Sequence, residues 1–221
     1  MNSKDNQSGL TGPAVYTVGH SANTLEQFVE LLQGANVTAI ADVRSVPYSR
    51  FADQFNREAL AVKLRSVGIA YSFLGNELGA RPKDKNCYLH GRADYSLIAA
   101  TPLFQSGLDR LIEGSQKYRI ALMCAEKEPL DCHRSILVGR HLARRGVEIY
   151  HLLADGRIED GILAERRLVR LTDQEMDDMF SAGETSSDPV ERAYAVREKE
   201  ISYAEAQGEM RQEDTKLAAS M

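Results

Sequence analysis

Long apolar runs, a secretory leader and cysteines in disulfide-forming number are all missing from this 221-residue chain. No stretch of about 18 consecutive apolar residues occurs, which argues against a membrane-spanning helix and leaves no membrane role to expect. The opening segment, residues 1–13 (MNSKDNQSGLTGP), is polar and lacks the apolar centre of a signal peptide, so it reads as a disordered lead-in to a cytoplasmic protein. Three cysteines, Cys87, Cys124 and Cys132, are too few and too odd in number for a secreted disulfide scaffold, and reduced thiols are the expectation. A strong net charge is lacking as well, at -5 for the whole chain. That small figure hides an asymmetry. Of the 32 acidic and 27 basic residues, 13 and 5 lie beyond residue 171, which leaves the extension near -8 and the rest near +3. A mildly basic body suits an anionic substrate and is equally the signature of an ordinary solvated surface.

What is present is an alternation of strand-like and helix-like segments in a chain that is 43% hydrophobic, enough for one substantial core. Residues 14–21 (AVYTVGHS), 37–44 (VTAIADVR), 69–74 (IAYSFL), 119–124 (RIALMC) and 147–153 (VEIYHLL) read as five strands. Between them, Thr24 and Gln27 form a capping box ahead of Leu25, Phe28, Val29 and Leu32, with Gly34 closing that helix. A second helix spans about residues 56–67, with Leu60 and Leu64 inward. Thr101 and Pro102 start a third, and residues 134–146 form a fourth that ends on glycine. Residues 154–161 (ADGRIEDG) read as a turn into a last core helix from about Ile162. Strands separated by helices imply right-handed crossovers and a mostly parallel sheet. Residues 75–95 show no periodicity, and such long loops are usually functional or disordered.

Beyond residue 171 the character changes to an acidic, partly helical extension, residues 172–221. Thr172 and Glu175 offer a capping box, residues 181–188 read as a linker, and a charged helix begins at Asp188 and Pro189 and runs to about Gln207. Its apolar stripe (Val190, Tyr194, Ile201, Ala204) is narrow. A solvated appendage is the simplest reading, with docking on the body or on a partner as alternatives.

The polar residues gather at strand ends. His20 and Ser21 end the first strand, Asp42 and Arg44 the second; Glu77 follows the third, Cys124 and Glu126 the fourth, Asp155 the fifth. In open α/β folds the carboxyl edge of the sheet is where ligands sit. The richest segment is residues 124–134, CAEKEPLDCHR, a strand-to-helix loop. Cys124 near a helix N-terminus and His133 could serve as thiolate nucleophile and its base, against the alternative of a small apolar filler. Nine residues separate Cys124 from Arg134, which departs from the five of the thiol phosphatase loop. His20 and Asp42 would form an oriented base if their strands are neighbours, and Glu126 is a candidate general acid. Arg44, Arg50 and Arg134, with Ser21 and Ser49, suit a phosphate or carboxylate, aided by helix N–H groups near His133. The alternative is that the arginines pair with Asp42, Glu77 or Glu126 to hold loops together. A metal held by Cys124, Cys132, His133 and His20 is the lesser reading, because the cysteine spacing departs from zinc knuckles and adjacent Cys132 and His133 would point differently.

The motifs VGHS (residues 18–21), DVRSVPYSR (42–50), LGNELG (74–79), CAEKEPLDCHR and LLADGRIE (152–159) resemble the family called domain of unknown function 488, over about residues 14–171. That resemblance implies a Rossmann-like three-layer α/β sandwich with a polar pocket built from these motifs, and no settled reaction. Ala80 stands where the family usually has a second glycine, a departure that bears on the turn there. The expectation is therefore an enzyme with catalytic His20, Asp42, Cys124, Glu126 and His133 and with Ser21, Arg44, Ser49, Arg50, Glu77, Cys132, Arg134 and Asp155 around the substrate. That substrate would be a phosphate-bearing or nucleobase-containing molecule, or nucleic acid. A non-catalytic anion-binding or redox-sensing module and a metal-dependent enzyme with Cys/His ligands are the alternatives. No cofactor is specified by the sequence.

Overall fold

The computed structural model describes residues 12–174 and 188–205. The expected capping role of Glu175, the linker at 181–187 and the lead-in at 1–11 lie outside these residues. The sheet has six strands: β1 (Ala14–Gly19), β2 (Ala39–Asp42), β3 (Ala70–Phe73), β6 (Ile120–Cys124), β7 (Glu148–Leu152) and β8 (Ile158–Asp160). Their order is β3-β2-β6-β1-β7-β8, with only β8 antiparallel. β4 (Tyr88–Leu89) and β5 (Arg92–Ala93) make a separate hairpin inside the stretch that showed no periodicity. Residues 154–161, expected as a turn alone, hold β8 as well. Gly156, at φ +83°, makes the reversal that returns the chain along β7.

Alternation sorts the side chains to two faces. Tyr16, Val18, Ile40, Ala121 and Met123 meet α1 (Leu25–Gly34) and α2 (Arg57–Ser66) through Phe28, Leu32, Leu60 and Leu64. On the other face Val15, Ala41, Leu122 and Cys124 meet α4 (Tyr95–Ala100) and α5 (Pro102–Ser115), then a π-helical segment (Arg134–Gly139) that runs on into α6 (Arg140–Ala143), and finally α7 (Gly161–Leu171). The short α3 (Gly75–Leu78) sits at the carboxyl edge. The result is a three-layer α/β sandwich with a mostly parallel sheet. No helix among the described residues is long and apolar enough to cross a membrane.

Two expectations change. β1 and β2 are not neighbours, since β6 inserts between them and thereby brings Cys124 to the middle of the carboxyl edge. The C-terminal helix α8 (Pro189–Ile201) is docked rather than solvated, with Ala193 and Tyr194 buried and the Tyr194 hydroxyl donating to Glu165 Oε1 at 3.1 Å. A stripe too narrow for a free-standing core suffices here because α7 and the π-helical segment supply the opposing surface. The helix ends at Ile201 instead of near Gln207, where Ser202 turns extended and Tyr203 pairs with the β5 backbone.

One buried histidine makes the fold sensitive to acid. His151 in β7 lies 2.8 Å from Thr17 Oγ1, and burial, reinforced by the Arg134 charge, lowers its pKa from the ordinary 6.5 to about 4. Between these values the unfolded chain holds the extra proton and the folded chain does not, so stability is full above 6.5 and falls as pH drops toward 4. The gap is worth at most about 3 kcal/mol. Urea denaturation of wild type and His151→Asn at neutral and mildly acidic pH should show a flatter dependence in the variant; parallel profiles would refute the assignment.

Candidate functional site

β6 delivers Cys124 to the carboxyl edge, and residues 125–133 loop back across that edge before the π-helical segment begins. Two devices hold the loop. The continuation of β1 pairs with it, His20 N donating to Cys124 O and Ser21 N to Ala125 O, both at 2.9 Å. Gly19 permits this approach: a Cβ there would stand 1.9 Å from Glu126 O. From the other side, Arg134 reaches through the loop, Nη1 donating to Glu126 O at 2.8 Å and Nη2 to Lys127 O at 3.2 Å, and is 1% exposed. Both Nη atoms of Arg134 are thus committed to the loop, while its buried Nε has no hydrogen-bond partner among the described residues. The N–H groups at this helix start are also taken, Arg134 N by Cys132 Sγ at 3.5 Å and Ser135 N and Ile136 N by Cys132 O.

Inside the loop three side chains converge. His133 Nδ1 lies 3.7 Å from Cys124 Sγ and 3.8 Å from Cys132 Sγ, and these three atoms all fall within 4.8 Å of one another. On the far side of the ring, Nε2 is 2.9 Å from Val43 O. A carbonyl only accepts, so Nε2 carries a proton, and Nδ1 is the ring nitrogen that faces both sulfurs. Adjacent Cys132 and His133 therefore point to one place, and not apart as their neighbouring positions suggested. The extended backbone of Cys132, φ -138° and ψ 139°, followed by helical His133, φ -58° and ψ -24°, makes this convergence.

Electrostatics bind these groups to Glu126, whose Oε2 is 2.9 Å from Cys132 Sγ. A thiolate and a carboxylate that close cannot both be charged, so one proton is held between them. Burial, then the Cys132 sulfur, raises the Glu126 pKa. Its bond to Cys132, then burial, pushes the Cys124 thiol well up. For Cys132 burial opposes ionisation, but the bond from Cys124 and the Arg134 and His133 charges outweigh it and bring the thiol down. Burial likewise opposes the His133 imidazolium and is overcome by the Cys132 sulfur. Of the two thiols, Cys132 is the one that ionises first.

The cluster opens on a cavity of about 200 Å³ whose walls include Arg44, Ser45, Arg81, Tyr95, Glu126, Asp131 and Tyr203. A larger cavity of about 320 Å³, between β7, α7 and the π-helical segment, contains none of Cys124, Glu126, Cys132 or His133. The profile of DUF488, described as Domain of unknown function DUF488, matches residues 24–141, more than half the chain. The chain belongs to this family. Curated proteins give no match, and neither do solved structures. The DUF488 segment contains Asp42, Arg44, Arg81, Glu126 and the whole cluster; His20 and Tyr203 lie outside it.

Several expected site residues are placed elsewhere. His20 and Asp42 do not form a dyad. His20 Nδ1 donates to Ser21 O at 3.0 Å, its ring stacks on Phe55 at 4.3 Å, and burial lowers its pKa. Asp42 is fully buried, taking Arg44 Nε at 2.9 Å and Nη2 at 2.6 Å, and the Tyr71 hydroxyl at 2.7 Å. With Arg44 N also donating to its Oδ1 at 3.1 Å, it braces the loop after β2 and has no lone pair to spare for catalysis. Ser49 braces the same loop through Phe51 N and Asn56 Oδ1, while Ser21 contributes its backbone to the 125–133 loop. Arg50 is exposed and has no side-chain partner among the described residues. Glu77 pairs with Arg110 of α5, and Asp155 with Arg157 in the β7–β8 turn. Neither lines the cavity with the cysteines. The sequence reading missed Arg81, which follows β3 and its LGNELG motif and so had the same strand-end signal as Arg44. It also missed Tyr203, which no motif marks.

Proposed function

We propose that the DUF488 protein is a metal-dependent enzyme that binds a zinc-like ion through Cys124 Sγ, Cys132 Sγ and His133 Nδ1 and acts on a phosphate-bearing substrate in the carboxyl-edge cavity. The observation that carries this reading is the convergence of two sulfurs on one nitrogen of one imidazole. A tetrahedral zinc with Zn–S of about 2.3 Å and Zn–N of about 2.0–2.1 Å holds sulfur and nitrogen about 3.6 Å apart; the two sulfur-nitrogen distances here, 3.7 and 3.8 Å, are near that edge length. The bond from Nε2–H to Val43 O is the outer support that metal-ligating histidines use to fix their tautomer. Three protein ligands leave a fourth position open, where a bound ion acts as a Lewis acid and lowers the pKa of water.

The chain's own groups complete the site. Glu126 Oε2, beside Cys132 and on the cavity wall, is the group placed to accept a proton from a water or substrate hydroxyl. Arg44, although paired with Asp42, and Arg81 bring guanidinium groups to the same cavity. A nucleophilic cysteine fits less well, because reactive thiols are partly exposed in electropositive surroundings, whereas Cys124 and Cys132 are 3% and 2% exposed and face a carboxyl group. The proton shared by Cys132 and Glu126 favours one second reading, a metal-free dithiol that senses redox state.

Elemental analysis and cobalt substitution of full-length protein decide between them. About one tightly held ion per chain, with thiolate-to-cobalt charge-transfer bands, is the expected result. Failure to take up zinc or cobalt with both thiols reduced would sink the metal reading; a reversible Cys124–Cys132 disulfide would then favour the dithiol.

A further inference from the structure

We infer that Arg81, held by Tyr203 of the C-terminal extension, is the anion anchor of this cavity, taking a phosphate group together with Arg44 Nη1 and the Ser45 hydroxyl. The inference rests on the reading that the pocket takes a phosphate-bearing substrate, and it identifies which residues bind that group.

The charges of the cavity wall point to Arg81 by accounting for the others. Asp131 is engaged by Arg197 of α8. Glu126 Oε2 is engaged by Cys132 Sγ at 2.9 Å. Arg44 is bound by Asp42 and donates Nη2 to Phe55 O at 2.8 Å, leaving Nη1 without a partner among the described residues. Arg81 has no carboxylate partner among the described residues. Its guanidinium instead lies over the Tyr203 ring, 4.4 Å from the centroid, while its backbone N donates to Ser45 Oγ at 3.0 Å. Stacking restrains the guanidinium without neutralising it, so its N–H donors stay available for a two-pronged grip on phosphate.

Tyr203 is itself well held. Its carbonyl accepts from Ala93 N at 2.8 Å, and Glu205 N donates to Gly91 O at 2.8 Å on the other side of Ala204. Arg92 Nη1 donates to Lys199 O at 3.0 Å and Ser202 O at 2.9 Å, tying the end of α8 to the β4–β5 hairpin. Arg197 Nε donates to Leu130 O at 3.0 Å and so ties α8 to the loop that carries Cys132. Ile201 and Tyr203 therefore close one side of the cavity from outside the DUF488 segment. Tyr203 is a positioning residue, and substrate selection at this wall depends on the extension.

The test is calorimetric titration of full-length protein with inorganic phosphate, with metal content measured on the same samples. Arg81→Gln should weaken phosphate binding about tenfold or more, the scale of a lost charged hydrogen bond. Tyr203→Leu should weaken it by a smaller factor, about threefold, for loss of a cation–π restraint. Tyr203→Phe, which keeps the ring, should bind as wild type does, and metal content should be the same in all four proteins. Unchanged affinity in Arg81→Gln, or no phosphate binding by wild type at millimolar concentration, would overturn the inference. Phosphate binding that depends on Arg81 in protein that takes up no metal would uphold the anchor and remove the metal reading.

Discussion

Zinc affinity should fall about a hundredfold to a thousandfold in either Cys124→Ser or His133→Ala. The magnitude follows from the roughly 10–16 kcal/mol that structural zinc sites supply, divided among their ligands, or about 3–4 kcal/mol for each one lost. Serine preserves the volume of Cys124 but offers a hard oxygen in place of a soft sulfur, and alanine removes the Nδ1 lone pair altogether. Competition with a chromophoric chelator reads the affinity directly. His133→Ala also frees Val43 O from its bond with Nε2, so its folding must be checked separately. Cys124→Ser leaves that bond in place and serves as the cleaner variant. Cys87, buried and away from the cluster, is the control: Cys87→Ser should bind zinc as wild type does. Equal affinities in wild type and Cys124→Ser would remove Cys124 from the ligand set.

Arg134→Ala should cost about 3–5 kcal/mol of folding stability, the range for breaking a buried charged network at one partner. Arg134 is the largest of the fully buried side chains. Its removal strips two charge-assisted bonds from Glu126 O and Lys127 O, leaves those carbonyls without their guanidinium donor and opens a cavity behind the loop. Arg134→Lys should recover part of the loss, because an ammonium reaches one carbonyl where the guanidinium fork spans two. Urea denaturation measures both. A loss below about 1 kcal/mol in Arg134→Ala, within the range of a surface substitution, would show that the loop is held by other means. The same variant should weaken zinc binding, since Cys132, Glu126 and Arg134 belong to one loop.

Most of the architecture was legible because hydrophobic patterning acts locally. The capping box at Thr24 and Gln27 starts α1 as read, and Thr101 with Pro102 starts α5. The five parallel strands follow from short apolar runs between helices. β8 escaped because three half-exposed residues after a glycine turn carry no period. The π-helical segment escaped because its apolar spacing also suits an α-helix. The docked state of α8 could not be read, since a narrow stripe is compatible with solvent, with a partner or with the body, and only the opposing surface decides.

The candidate site divides along the same line. The sequence alone determined that the chemistry-bearing residues lie at strand ends, that Cys124, Glu126, Cys132 and His133 share one loop, and that this loop joins a strand to a helix. Tertiary structure alone decided which of them meet. By inserting β6 between β1 and β2 it parted His20 from Asp42. Two loop carbonyls engage Arg134, Asp42 pairs with Arg44, and both sulfurs face one nitrogen of His133. Arg81 and Tyr203, 122 positions apart, stack across the cavity. The physical reason is range: propensity and periodicity act over a few residues, whereas hydrogen-bond partners and ligand geometry depend on strand order and on loops from distant parts of the chain.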